Sequence, residues 1–396
     1  MGNRTDLPLA QLNGATSFNG AGTMYLIQTP AGVLYLVHIN VGVDVAYIKS
    51  TDGGRSWTDN TTVFVGTTTS LAVWYDRWSN ISAGLIHCAY QESVTDDTLY
   101  RTINTESADA LSTQTTIFAG GTTAAGGCLS ITRARGGNVY CHTVIDAGAE
   151  GGFFRLPNAN VPNGAWDAAR TNPEALATQD QIILLPGFAA DAQDIMAFFW
   201  DASANEVSRY LHDDSANTWA ETSIATGMTD TPASTSFANF AAAVDLTNSR
   251  NLLVAWTDDD LLNADLRCWY VTESAITETT NVVLNSTDDQ GLCAICLDTI
   301  TNVWWVFYVG ASNGSETYPT AVNIYCKASA DSGTTWGPET KLTPRTWSIP
   351  WLITVPRLLF SAPLPPPVCY QGDSAVDIVH LNICLDPPHT RSLIGI

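Results

Sequence analysis

One eight-residue pattern, Ser-x-Asp-x-Gly-x-Ser/Thr-Trp, occurs twice in the chain, at residues 50–57 and 329–336, each time after a strand-like run. Its aspartate can accept hydrogen bonds from turn N–H groups, and its glycine can adopt a positive φ without steric cost. Its tryptophan buries a large ring beside the turn. The pattern therefore predicts a recurring strand–turn unit, built by Ser50, Asp52, Gly54, Trp57, Ser329, Asp331, Gly333 and Trp336.

A longer repeat runs through the whole chain. Apolar, aromatic-rich runs recur at roughly 50 to 60 residues, which is close to the spacing of propeller blades. They begin at Val33, Leu85, Val139, Ile195, Leu252 and Val303, with a weaker one at Val368. Shorter strand-like stretches flank each run, which gives four strands per unit, and the runs are apolar on both faces, as in strands covered on both sides.

These observations predict an all-β chain folded as a β-propeller with four antiparallel strands per blade. Seven blades are favoured and six are the alternative. We expect one domain over residues 1–396, in which residues 1–20 supply a strand that closes the ring and residues 21–396 form the blades. Closure by an N-terminal strand would leave no long exposed sheet edge.

The repeated pattern resembles the Asp-box, or BNR, repeat of sialidases and related propellers. A partial third copy keeps the spacing at His212, Asp214 and Trp219. The resemblance implies that the pattern residues are structural and lie on the periphery of the propeller. It also implies an arginine triad for a substrate carboxylate, a tyrosine nucleophile assisted by a glutamate, and an aspartate as acid/base.

The candidate triad is Arg133, Arg155 and Arg357. Phe154-Arg155-Leu156-Pro157 matches the motif that carries the first arginine of sialidases. It lies in the third repeat, after the first Asp-box, whereas the family's motif precedes the boxes. Arg133 and Arg357 adjoin first strands of their units and could join Arg155. The alternative is that the three are separate surface or inter-blade arginines.

Charge and composition exclude several classes of function. The formal net charge is -22, with 17 Lys and Arg against 39 Asp and Glu, which disfavours binding to nucleic-acid phosphates. No apolar segment of ~20 residues predicts a membrane span, and the N-terminus lacks an apolar signal core. Several of the nine cysteines lie in apolar runs, where cysteine acts as a small buried hydrophobe. The lack of a disulfide pattern fits folding in a reducing cytosol.

No cofactor is predicted, with calcium as the alternative. The densest set of oxygen ligands is Asp258, Asp259, Asp260 and Asp265, and calcium prefers such ligands. A solvated hairpin tip explains the same residues, since charged residues usually lie at surfaces. His38, His87 and His142 fall in core runs and are interpreted as packing residues.

The sequence predicts a non-catalytic, sialidase-like propeller that is a structural or host/glycan-recognition component of a virus particle. The scarce lysines, the cysteines without a disulfide pattern and the Thr/Ala/Gly-rich composition look like those of a bacteriophage virion or tail protein. Expected partners are other virion proteins or a cell-surface glycan, with homo-oligomerisation as a further option, and neither nucleic acid nor a membrane. The alternatives are a sialidase-type exo-glycosidase or a cellular lectin-like or scaffold propeller. The expected location is the virion, assembled from protein made in the host cytoplasm, with a secreted or cytoplasmic location as the alternative.

Overall fold

A computed structural model describes most of the chain. The described residues are 4–9, 24–40, 42–76, 84–120, 129–144, 151–174, 180–201, 204–227, 240–258, 264–286, 292–312, 315–316, 323–343, 352–359, 366–372 and 378–384. They form β-strands joined by turns and one short 3-10 helix, Asn158–Asn160. Over these ranges, no helix has the length and apolar character needed to cross a membrane.

The strands form seven sheets, and in each the innermost strand is named first. Sheet 1 contains β2 (Met24–Gln28), β3 (Leu34–Ile39), β4 (Val45–Ser50) and β5 (Thr61–Phe64). Sheet 2 contains β6 (Thr68–Tyr75), β7 (Leu85–Glu92), β8 (Thr98–Asn104) and β10 (Thr115–Phe118), with β9 (Ala110–Leu111) also paired to β8. Sheet 3 contains β11 (Ser130–Arg133), β12 (Val139–Val144) and β13 (Gly151–Leu156). Sheet 4 contains β14 (Gln181–Pro186), β15 (Ile195–Asp201), β16 (Glu206–Asp213) and β17 (Thr218–Thr226).

The remaining sheets follow the same plan. Sheet 5 contains β18 (Phe240–Asp245), β19 (Arg250–Asp258), β20 (Ala264–Val271) and β21 (Ile276–Glu278), with β22 (Val283–Ser286) also paired to β20. Sheet 6 contains β23 (Cys293–Asp298), β24 (Val303–Val309), β25 (Ile324–Ser329) and β26 (Thr340–Lys341), with β28 (Leu358–Leu359) parallel to β23. Sheet 7 contains β27 (Leu352–Thr354), β29 (Val368–Gly372), β30 (Ile378–Cys384) and β1 (Arg4–Pro8).

The chain is an all-β β-propeller. Over the described residues, six sheets are blades of at least four strands, and sheet 3 has three strands. The prediction of seven four-stranded blades is therefore wrong, and the structure has six such blades. The segment after β13 contains Pro157, Pro162 and Pro173, and proline lacks the N–H that a strand ladder needs. Two backbone bonds replace the fourth strand: the amides of Asp167 and Arg170 donate to carbonyls of β13.

The innermost strands pack side by side, so that β6 contacts β11, β11 contacts β14, and β18 contacts β23. The first and last described strands are also neighbours. β1 pairs antiparallel with β30, with Arg4 opposite Cys384, and the Leu26 amide in β2 donates to Thr354 Oγ1 in β27 at 3.1 Å. Leu9 and Cys369 pack in one apolar cluster with residues of sheet 1, and Trp57 covers that cluster.

The cores lie between neighbouring sheets, and the second strands are almost wholly buried. Burial of β3, β7 and β15 on both faces explains their continuous apolar runs. His38, His87 and His142 are fully buried in the second strands β3, β7 and β12. The seven cysteines whose side chains the structure describes are buried thiols.

Candidate functional site

The two copies of the repeated pattern build the same turn. Ser50 Oγ donates to Asp52 Oδ1 at 2.8 Å and accepts the Gly54 amide at 2.8 Å. Asp52 also accepts the Ser56 amide at 2.9 Å and its hydroxyl at 2.6 Å. These bonds outweigh the opposing effect of burial and lower the pKa of Asp52 to about 2. Gly54 has a φ of 94°.

The second copy repeats this network almost atom for atom. Ser329 Oγ donates to Asp331 Oδ1 at 2.8 Å and accepts the Gly333 amide at 2.8 Å, and Asp331 accepts the Thr335 amide and hydroxyl at 2.9 and 2.6 Å. Both aspartates are thus engaged in shaping a turn. Neither presents a carboxylate that is free of turn contacts.

The tryptophans of the pattern fasten the turns to their surroundings. Trp336 Nε1 donates to Thr280 O of the preceding sheet at 2.7 Å, and Trp219, in the partial third copy, donates to Thr171 O at 2.8 Å. Trp57 instead bonds within its own turn, to Gly54 O at 3.1 Å. In two of the three copies, the indole therefore links one sheet to the sheet before it.

Arg133 is completely buried at the junction of sheets 2 and 3. One terminal nitrogen forms an ion pair with the buried Asp76 at the end of β6. Its Nε donates to Gly137 O and its Nη2 to Asn158 Oδ1, both at 2.9 Å. The guanidinium therefore has internal partners on several sides, and it joins two blades.

Arg155 lies on the opposite face of sheet 3. Arg133 pairs with Val139, and Val139 pairs with Leu156, so Leu156 shares the face of Arg133 and Arg155 faces the other way. Arg155 Nε donates to Asp167 at 2.6 Å, and its Nη1 contacts both oxygens of Asp214 at 2.9 Å.

Burial opposes the charge of Arg155, but the two carboxylates outweigh it and raise its pKa. Arg357 lies elsewhere, beside Tyr25, and its carbonyl accepts the Leu297 amide at 3.3 Å. Burial lowers the pKa of Arg357, against the effect of Tyr25. The three candidate arginines thus occupy three different junctions and have separate partners.

The scarce cations follow a pattern that the sequence reasoning missed. The third strand of each of sheets 1 to 6 carries one Lys or Arg, and each of these side chains contacts an acid or a backbone carbonyl. The contacts are Lys49–Asp109, Arg101–Val63 O, Arg155–Asp214, Arg209–Thr272 O, Arg267–Glu278 and Lys327–Val282 O. Five of the six reach a neighbouring sheet. Aligning the repeat by its core runs would have exposed this signal in the sequence.

A cluster of acceptors lies beside an aromatic ring at the junction of sheets 3 and 4. We call it the Tyr210 cluster, and its members are Asn172, Glu174, Tyr210, Trp219 and Glu221. The Tyr210 hydroxyl donates to Glu174 Oε2, and Glu221 is the cross-strand partner of Tyr210. Burial and then the two glutamates raise the pKa of Tyr210, so this hydroxyl remains protonated.

The geometry of β17 places the ring and the carboxylates together. Trp219 and Glu221 are two residues apart on one strand and face the same side. The centroids of the Trp219 and Tyr210 rings are 6.4 Å apart at 76°. Glu221 is exposed, while Glu174, Asn172 and Trp219 are half-buried. The cluster therefore reaches solvent with an indole and two carboxylates.

The cluster has unused hydrogen-bonding capacity. A tyrosine hydroxyl has one proton to donate, so it cannot fully satisfy two carboxylates. In the described part of the chain, neither Glu174 nor Glu221 forms an ion pair. Asn172 Nδ2 donates to Glu174 O at 2.5 Å, while its buried Oδ1 accepts no bond among the described residues. The two carboxylates, which are exposed or half-buried, can accept hydroxyl protons from a ligand.

The predicted oxygen-ligand set falls largely outside the described residues, since Asp259 and Asp260 lie there and only the backbone of Asp258 is described. Asp265 is buried and accepts Asn281 Nδ2 at 3.0 Å. Across the described ranges, no three His, Cys, Asp or Glu side chains form a metal-binding group. Calcium binding stays a prediction.

Comparison with known proteins shows likeness in structure alone. No protein-family model and no curated protein matches the chain. An ulvan lyase of polysaccharide lyase family PL25 superposes with a TM-score of 0.58 and 9% identity, covering 95% of each chain. Kuenenia stuttgartiensis hydrazine synthase has a TM-score of 0.54 and 7% identity, over 94% of this chain and 98% of that one.

A sialidase from Trypanosoma rangeli, in complex with the inhibitor DANA, is also similar. Its TM-score is 0.50 at 11% identity, over 78% of this chain and 58% of the sialidase chain. These likenesses support the expected sialidase-like propeller fold. They extend to the fold alone, because identities this low carry no functional residues across and one fold hosts unrelated chemistries.

Proposed function

We propose that this protein is a non-catalytic, glycan-recognising propeller that binds a neutral sugar at the Tyr210 cluster. The observation that carries the proposal is the arrangement around Tyr210: its ring packs against Trp219, its hydroxyl donates to Glu174, and Glu221 lies opposite it on the face of β17 that carries Trp219. Neither carboxylate forms an ion pair in the described part of the chain. An aromatic ring offers a flat apolar surface to one face of a sugar, and carboxylates accept its hydroxyl protons.

The charge distribution favours a neutral glycan over an acidic one. The chain has only 17 cations, and six of them are engaged in contacts of the third strands. A sialylated, uronic or sulfated glycan would bring its negative charge to a protein of net charge -22, close to two carboxylates. Recognition of such ligands ordinarily uses bidentate arginine contacts.

The arginine contacts support recognition over sialidase-type hydrolysis. Arg133 and Arg155, on opposite faces of sheet 3, have their own aspartates. Releasing Arg133 to bind a substrate carboxylate would leave Asp76 as a buried, unpaired charge, which is strongly unfavourable. We therefore propose structural roles for Arg133, Arg155 and Arg357, and a glycoside hydrolase remains the second candidate only as a fold-level analogy.

Isothermal titration calorimetry with two sets of oligosaccharides tests this function. One set is neutral and the other is sialylated, uronic or sulfated, and each is titrated into the full chain. We expect measurable binding of at least one neutral oligosaccharide and none of the acidic set, with no product released from any of them. Binding restricted to acidic glycans, or turnover of a fluorogenic sialoside, would contradict the proposal.

Site variants locate the binding. We expect Glu221→Gln to weaken it about tenfold, the effect of losing one charge-assisted hydrogen bond of about 1.5 kcal/mol. Trp219→Ala should abolish it. The matched control is Trp336→Ala. Trp336 makes the same kind of bond to the preceding sheet as Trp219 does. However, the residue at the position that corresponds to Tyr210 is Lys327, which donates to Val282 O. Equal losses in Trp219→Ala and Trp336→Ala would indicate a general structural effect instead.

We also propose that the two turns are Asp-box repeats of the sialidase-like type, and that β1 closes the ring through β30. Their matching Ser–Asp–Gly–Ser/Thr networks and the β1–β30 pairing support these two proposals. A place in a virus particle, beside other virion proteins, is proposed from composition. Co-purification of the chain with infectious particles would support that place, and its recovery only from particle-free host fractions would contradict it.

A further inference from the structure

Exposed valines are concentrated at one junction of the propeller. Five large apolar side chains of the described residues are exposed, and three of them lie on turns at the same end of sheets 1 and 2. Val43, at 37% exposure, lies between β3 and β4, Val65, at 76%, between β5 and β6, and Val94, at 76%, between β7 and β8. We call these three side chains the valine patch.

Backbone hydrogen bonds hold the three turns against one another. The Thr68 amide donates to Val43 O at 2.9 Å, and the Ser93 amide donates to Thr67 O at 2.8 Å. Asp44 Oδ1 accepts the Gly66 amide at 3.0 Å. The valine patch is therefore one fixed surface, because each turn is tied to the next.

Val43 also has an unfavourable backbone conformation, with a φ of 59°. A β-branched residue in the left-handed region is an outlier, and glycine or asparagine would fit there at lower cost. The side chain is exposed, so core packing does not account for a valine at this position. A binding role accounts for both the strain and the exposure, which is the direction in which such an outlier supports a functional hypothesis.

The border of the valine patch is acidic. Asp44, Asp96 and Asp97 are half-buried on the same turns, and hydrogen bonds from Thr95 and Val94 lower the pKa of Glu92 despite its burial. Residues 40–44, 65–69 and 92–97 contain no lysine or arginine. A second copy of this chain would bring its own carboxylates to the patch in a symmetric contact, and an anionic lipid surface would be repelled.

We propose that the valine patch docks a different polypeptide, whose contact segment has aliphatic side chains flanked by lysine or arginine. The aliphatic side chains would cover Val43, Val65 and Val94, while the cations would meet the acidic border. This surface is separate from the Tyr210 cluster and does not depend on glycan binding. It would let the propeller be held by one partner while another site stays open.

Two synthetic peptides test the proposal on the full chain, both with a Leu-Val-Leu centre, one flanked by lysines and the other by glutamates. Fluorescence anisotropy should show binding of the lysine-flanked peptide that weakens as salt rises, and no binding of the other. The double variant Val65→Thr/Val94→Thr should weaken binding at least about tenfold, because each threonine puts a hydroxyl group in place of a methyl group that the peptide would cover. The matched control is Leu284→Thr/Ile300→Thr, which changes two exposed apolar residues of other sheets, at 61% and 64% exposure.

Three results would overturn the proposal. The first is no binding of the lysine-flanked peptide, or equal binding of both peptides. The second is an equal loss in the control variant, which would indicate non-specific apolar contact. The third is a wild-type dimer in sedimentation that the Val65→Thr/Val94→Thr variant abolishes, which would make the patch a contact between copies. Circular dichroism of each variant confirms that the fold is retained.

Discussion

Mild acid should destabilise this propeller, because histidines buried between its sheets stay neutral in the folded state. Burial lowers the pKa of His38 and of His212 to about 4, and lowers that of His87 well below its usual value, with Arg133 adding to the effect on His87. All three side chains are at most 1% exposed. The folded protein therefore binds fewer protons than the unfolded chain once the pH falls below about 6.5.

The sign and size of the effect follow from this difference in proton binding. Above pH 6.5 the histidines are neutral in both states and contribute no pH dependence. Between pH 6.5 and about 4 the unfolded chain alone gains protons, so the free energy of unfolding falls as the pH falls. From pH 7 to 5.5 the loss is about 1 kcal/mol per histidine, or roughly 3 to 4 kcal/mol for the three.

His212→Phe isolates one of these contributions. The His212 ring lies 4.9 Å from Phe153 and 4.7 Å from Trp219, centroid to centroid, so phenylalanine suits the surroundings. Arg170 lowers the pKa of His212 further, while Asp214 opposes that shift. The variant should keep the parent's free energy of unfolding at pH 7. Between pH 7 and 5.5 its free energy of unfolding should fall by about 1 kcal/mol less than that of the parent.

Urea unfolding followed by tryptophan fluorescence, at pH 8, 7, 6 and 5.5, measures these free energies. The parent at pH 8 and 7 provides the internal control, since the histidines should add almost no slope there. A free energy of unfolding that stays constant down to pH 5.5 in the parent would show that these histidines do not stay neutral in the folded state. An unchanged slope in His212→Phe would refute the assignment to His212.

Three further changes test the contacts between blades. Asp76→Asn should lower the free energy of unfolding by about 3 to 5 kcal/mol in urea unfolding, because it leaves Arg133 buried without its carboxylate. Asp76→Leu/Arg133→Met should recover most of that loss, and an unchanged stability of Asp76→Asn would contradict the buried ion pair. Trp336→Phe should lower the free energy of unfolding, measured in urea, by about 1 kcal/mol, because it loses the hydrogen bond to Thr280 O. An unchanged free energy would mean that this bond does not stabilise the fold. Deletion of residues 1–9 should lower the melting temperature by several degrees, measured by calorimetry, because β30 loses its outer partner; an unchanged melting temperature would argue against closure through β1.

Short-range patterns in the sequence were enough to predict the β-propeller. The core runs beginning at Leu85 and Ile195 are second strands buried on both faces, and that burial is what made them continuous and apolar. The turn at Asp52 was also readable, because a side chain that accepts nearby amides acts within a few residues. The described residues of sheet 3 include no fourth strand, and this was not predicted, although Pro157, Pro162 and Pro173 were visible in the sequence.

The candidate site could not be predicted, because its contacts join distant parts of the chain. Tyr210 and Glu174 are 36 residues apart, and Arg155 and Asp214 are 59 apart. Nothing in the local sequence of Arg155 shows that its charge is met by aspartates from two segments. A four-residue match to a family motif suggested a role in substrate binding for Arg155, and only the structure shows its contacts with Asp167 and Asp214.

A crystal structure of the protein soaked with a neutral oligosaccharide would show whether a neutral sugar binds at the Tyr210 cluster. We expect one sugar ring to pack on Trp219, with hydroxyl groups donating to Glu221 and Glu174. A sugar bound at another junction while this cluster stays empty would rule out the Tyr210 cluster as the glycan site, as would the absence of any bound sugar at millimolar concentration.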